Sequence, residues 1–149
     1  MAMLRLSGGG PRPDPAFRYG AYPQPPMGAG HWSTEYDSRP AAVREARAQV
    51  RGRLEDWGLA DRAGLVDTAA LLVSELATSS VLDAGSRFRL TLTAAHGILR
   101  CEVTDTGRRV GPAGGPGRFL VDALARRWGC YRDGPGRTVW FELGTCACE

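Results

Sequence analysis

Three short segments carry residue types and spacings that can do chemistry. They are Leu72-Val73-Ser74-Glu75-Leu76 inside an apolar run, Asp105-Thr106-Gly107 closing an alternating run, and Gly115-Pro116-Gly117 ahead of an amphipathic one. Asp105 is an acceptor-only carboxylate, so at a strand end it can take a hydrogen bond from an exocyclic amine such as that of adenine. Gly107 lets a ligand approach the backbone closely. Gly115 and Gly117 precede Leu120, Val121, Leu124 and Trp128, where the first turn of a helix offers unpaired amides to phosphate oxygens. Together the segments outline a nucleotide pocket. Taken singly, the first glycine segment is also an ordinary turn and 111–117 an ordinary loop.

Glu75 is the one acid between Asp67 and Asp83, and spacing sets Glu75, Ser79 and Asp83 on a single i, i+4, i+8 row. An unpaired buried carboxylate costs several kcal/mol by order of magnitude, so Glu75 either pairs with an arginine or faces a cavity with a catalytic or metal-directed role.

These residues need a scaffold. A strand is expected over 31–36, and Asp37 or Ser38 as a cap with Pro40 in the first turn predicts a helix carrying Val43, Ala46, Val50, Leu54 and Trp57, ending near Gly58. Leu65 to Leu82 predicts a second helix, apolar nearly all round. Phe88, Leu90, Leu92 and then Leu99, Cys101, Val103 alternate about the turn Ala94-Ala95-His96-Gly97, predicting a hairpin. A helix from Gly117 to about Trp128, a strand at 130–132, the turn Asp133-Gly134-Pro135-Gly136 and a strand at 138–143 complete the chain. The order implies an α+β, two-layer sandwich with helices on one face of a mixed, mainly antiparallel sheet.

The 149 residues suit one domain with a tail. Residues 1–30 hold six prolines and six glycines without apolar periodicity and are read as a disordered tail, 31–143 as the folded domain and 144–149 as a C-terminal tail. No signal-peptide pattern is present and no segment approaches a membrane span in this reading, so a cytoplasmic protein is expected. The four cysteines lack zinc-ligand spacing and read as reduced thiols; Cys146 and Cys148 lie in the tail, where a metal or redox role competes with mere fraying.

All nineteen basic residues are arginine, and the chain has neither lysine nor asparagine. A lysine P-loop, a lysine Schiff base and an asparagine metal ligand are thereby excluded. The net charge of +3 is modest and the arginines are interspersed with acids, with no aromatic platform among them, so a nucleic-acid groove is not called for.

Four segments recur together in one known family. Leu71 to Thr78, Glu102 to Gly107, Leu120 to Gly129 and Gly136 to Leu143 resemble the GHKL (Bergerat-like) ATPase domain, specifically the stand-alone anti-sigma-factor serine/threonine kinases common in actinobacteria. The resemblance covers about 31–143 and implies ATP and Mg²⁺ as cofactors. It places Glu75 as the catalytic base toward a partner serine and Asp105 as the adenine reader with Gly107 beside it. Gly115 and Gly117 fall on the phosphate loop, 108–114 on a lid from which Arg108 or Arg109 meets phosphate or partner, and Thr138 among the nucleotide-binding residues. It further implies a sigma factor or a STAS-domain antagonist as partner, and a homodimer.

The chain also departs from that pattern. Ser79 stands where the magnesium-binding asparagine is usual and Asp83 where a basic residue or histidine is usual, so these two are the candidate metal ligands of a degenerate N-box. Arg118 follows Gly117 where a leucine is usual, and Pro116 removes one amide donor from the loop. Arg118 is then a candidate cation for the phosphates. Two readings follow: a kinase that phosphorylates an antagonist and sequesters a sigma factor, or a degenerate domain with weak or no ATP binding that acts as a protein-interaction module.

Overall fold

The computed structural model describes residues 29–60, 62, 64–83, 85, 87–107 and 116–145, of which 83 and 116–119 in backbone only. The elements run β1 (Gly30–Tyr36), α1 (Pro40–Asp56), α2 (Leu65–Asp83), β2 (Phe88–Ala95), β3 (Ile98–Asp105), α3 (Pro116–Leu124), β4 (Arg127–Asp133) and β5 (Gly136–Gly144). The strands form a single sheet in the order β1-β2-β3-β5-β4. Among the described residues all of its pairings are antiparallel, with none of the parallel pairing that the mixed, mainly antiparallel expectation allowed. The proposed tails at 1–28 and 146–149, with Cys146 and Cys148, lie outside the described residues.

Alternation fixes which face of the sheet is covered. Phe88, Leu90, Leu92 and Ala94 of β2, Leu99, Cys101 and Val103 of β3, and Val139, Phe141 and Leu143 of β5 are buried. α1 adds Ala42, Ala46, Val50 and Leu54, and α2 adds Leu65, Ala69, Leu72, Val73, Leu76 and Ala77 to the same core. The opposite face carries Arg89, Thr91, Thr93, Arg100, Glu102, Thr104, Trp140 and Glu142, each only partly buried or exposed. A two-layer α+β sandwich results, with helices on one face of the sheet.

Several local boundaries differ from the sequence-based ones for physical reasons. Arg39, not Asp37 or Ser38, is the N-cap of α1; it makes no side-chain cap, and Pro40, lacking an amide, sits in the first turn instead. The α1 stripe buries Ala42 fully, while Val43 and Trp57 pack at its margin. α1 ends in a Schellman arrangement, with Gly58 at φ 79° and the Leu59 amide on the Leu54 carbonyl at 2.8 Å. Ala94 and Ala95 belong to β2, leaving His96-Gly97 (φ 55° and 77°) as a two-residue turn of the type that suits strand twist. α3 stops at Leu124 because the Arg126 amide turns to the Glu142 carbonyl at 2.8 Å, which starts β4 and brings Trp128 opposite Phe141.

By length and composition α2 is long and apolar enough to cross a membrane over Leu65–Leu82, correcting the expectation that no segment is; half of that window is buried against the rest of the fold. Cys101 is buried and Cys130 partly so, and both are free thiols.

Candidate functional site

Strand alternation and register build the site at the ends of β3 and β5. Asp105 continues the buried side Leu99, Cys101, Val103, and Arg137 continues the buried side Leu143, Phe141, Val139. The β3–β5 register sets Asp105 directly opposite Arg137. A carboxylate and a guanidinium are therefore driven together under the helical layer, at the edge of the core.

Their geometry is bidentate. Arg137 donates from Nε to Asp105 Oδ1 at 3.1 Å and from Nη2 to Oδ2 at 2.9 Å. The Gly107 amide donates to Oδ1 at 2.7 Å, and the Ser80 hydroxyl, projecting from α2, donates to Oδ2. Both side chains are 2% exposed. An ionised carboxylate offers about four lone-pair positions, and these four donors fill them. Next to the pair, Arg132 Nη2 donates to the Gly107 carbonyl at 2.6 Å, tying β4 to the chain leaving β3.

The other candidate residues distribute unevenly around this pair. Glu75 and Ser79 lie one turn apart on α2, both partly buried; among the described residues Glu75 has no ion pair, and Ser79 Oγ is buried with no hydrogen-bond partner. Asp83 is the last residue of α2. Gly117 and Arg118 fall in the first turn of α3, while Arg108, Arg109 and Gly115 lie outside the described residues. Thr138 is not brought to Asp105. Its Oγ1 pairs with Thr104 Oγ1 at 2.8 Å on the helix-free face, because adjacent residues of a strand point to opposite sides. Arg137 stands beside Asp105 in its place.

Arg137 and Ser80 are the site residues that the sequence reading does not single out. The signal for Arg137 is nevertheless present: the alternation Leu143, Phe141, Val139 runs back onto it and demands a buried counter-charge. Ser80 carries no comparable signal, since it is one of two adjacent serines on an apolar helix.

The residues at Asp105 do not fit an adenine ring. Its amine would need a lone pair that Arg137, Ser80 and Gly107 already occupy, in a place closed to solvent. Among the described residues no three His, Cys, Asp or Glu side chains gather as a metal site. Of the candidate residues on α2, the described side chains are one carboxylate, that of Glu75, and one unpartnered hydroxyl, that of Ser79.

The helix-free face does carry arginines around an aromatic ring, contrary to the expectation from sequence. Arg100 stacks on Trp140 at 4.0 Å and Arg127 lies 5.8 Å from it. Both are spoken for: Arg100 bonds Glu102 at 2.7 Å and Glu142 at 2.9 Å, and Arg127 reaches Glu142 at 3.2 Å. Paired charges of this kind present no field that would draw in a polyanion.

Comparison with solved structures places the architecture. The RsbU and RsbW domains of Rv1364c from Mycobacterium tuberculosis superpose with a TM-score of 0.61 at 21% sequence identity, over 77% of this chain and 32% of that one. The likeness is one of fold. This chain spans about a third of the length of that structure. No protein-family model matches the sequence, and no curated protein matches it.

Proposed function

We propose that this protein is a cytoplasmic regulatory domain of the RsbW kind that acts by gripping a partner protein, with nucleotide binding weak or lost. The partner class is a sigma factor or the STAS-domain antagonist of one, and the domain pairs with a second copy of itself. The fold shared with a structure containing an RsbW domain supports the regulatory role. One observation carries the choice of a binding module over a nucleotide-dependent kinase: every acceptor position of Asp105 is filled by donors from the protein itself.

A specific feature favours the kinase as second reading. Glu75 is unpaired among the described residues and stands one turn from Ser79, whose hydroxyl has no partner. In this reading Glu75 would take the proton of a partner serine, and Ser79 with Asp83 would be the residues to hold Mg²⁺.

Calorimetric titration of ATP into the full chain, with and without Mg²⁺, separates the two. The binding module gives no saturable heat, and a partner is retained equally with and without nucleotide. Magnesium-dependent heat that disappears in Asp105→Ala overturns the binding-module reading and restores the kinase.

A further inference from the structure

We infer that Arg137 is a tethered occupant of the Asp105 site, and that its removal leaves a buried anionic cavity selective for small planar cations of the guanidine and amidine class. This rests on the same sealed carboxylate as the proposed function, but concerns what seals it and what else can.

Three observations carry it. The guanidinium meets both carboxylate oxygens through Nε and Nη2, a planar fork that an amidine or a free guanidine reproduces and an ammonium does not. The remaining positions of the carboxylate are held by Ser80 from α2 and by the Gly107 amide, so the recognition surface stays in place when the Arg137 side chain is cut back. Both members of the pair are almost wholly shielded from water, at 2% exposure, so Asp105 without Arg137 is an anion lacking a counter-charge. Such a site prefers a cationic planar donor over a neutral aminopurine, because only the cation restores neutrality. In the intact protein the tethered group does this work permanently. With Ser80 it joins α2 to the β3–β5 pair through Asp105 without any ligand.

The test uses the full chain and the Arg137→Ala variant, with methylguanidine as probe and methylammonium and adenosine as comparisons. The variant is expected to melt about 10–20 °C below the parent. Millimolar methylguanidine should raise its melting temperature, while methylammonium and adenosine should not. Neither the parent nor the double variant Asp105→Ala/Arg137→Ala should respond. A folded Arg137→Ala that ignores methylguanidine overturns the inference, as does a response shared by the double variant or matched by methylammonium or adenosine. An independent measurement on the parent does not depend on the variant folding. Solvent exchange of the Arg137 Nε proton, followed by NMR, should be slow, and fast exchange overturns the idea of a sealed occupant. Failure here leaves the ATP titration of the parent unaffected, so the two proposals fall separately.

Discussion

Replacing Asp105 with alanine distinguishes a structural carboxylate from one held ready for a ligand. A carboxylate waiting for a ligand has unmet acceptors, and its loss leaves stability unchanged or raises it. Asp105 is instead saturated. Its removal strands the Arg137 guanidinium at 2% exposure and deprives the Ser80 hydroxyl and the Gly107 amide of their acceptor. Solvent screens little at that depth, and breaking one side of a buried pair costs about 3–5 kcal/mol. The two neutral donors would add about 1 kcal/mol each, a cost that water entering the vacated volume largely offsets. A net loss of about 4 kcal/mol is smaller than the 5–15 kcal/mol usual for a domain, so the variant should fold. With a urea dependence of about 2 kcal/mol/M, its midpoint should drop by about 2 M at unchanged slope. The double variant Asp105→Leu/Arg137→Leu removes both charges and should be more stable than Asp105→Ala, since an apolar pair of similar volume often replaces a buried ion pair at no net cost. An unfolding midpoint for Asp105→Ala equal to or above that of the parent would refute the reasoning.

Three further outcomes follow from local geometry. His96 holds φ 55° at the first turn position between β2 and β3, a conformation asparagine adopts more readily, so His96→Asn should raise the melting temperature by a few degrees in a thermal scan. A Cβ on Gly129 would stand 2.9 Å from the Trp140 ring; Gly129→Ala should cost about 1–3 kcal/mol in denaturant titration, a loss relieved by adding Trp140→Leu. Burial raises the Cys101 thiol far above its ordinary value of 9.0. The unfolded chain therefore releases that proton first as pH rises past 9.0, and the folded state is penalised by about 1.4 kcal/mol per pH unit relative to a Cys101→Val variant, measurable by urea unfolding across that range.

The layers of the fold were legible because periodicity reports burial directly. Leu90 and Leu92 alternate with Arg89 and Thr91, and Ala46, Val50 and Leu54 recur at helical spacing, so each element declares which side meets the core. Ends were harder to place. Trp128 continues the apolar period of α3, yet the competing backbone bond from Arg126 to Glu142 ends the helix earlier and turns Trp128 into a strand residue opposite Phe141. That bond joins residues sixteen apart, and helical spacing carries no trace of it.

The site shows the same division at closer range. Asp105 and Glu75 stood out in the sequence because an acid in or at the end of an apolar run requires an explanation. What Asp105 does depends on its neighbour across the sheet, which is set by the β3–β5 register and not by distance along either strand. One residue of slip would have put Thr138 opposite Asp105 and on its face, but only by turning Val139, Phe141 and Leu143 away from the core, since a slip of one inverts the sidedness of the whole strand. Val139, Phe141 and Leu143 fix that sidedness through burial, and with it the position of Arg137. The hydrophobic pattern that builds the core therefore also decides that Asp105 meets a guanidinium. Sealing the carboxylate follows from where the two apolar faces end, each on a residue of opposite charge.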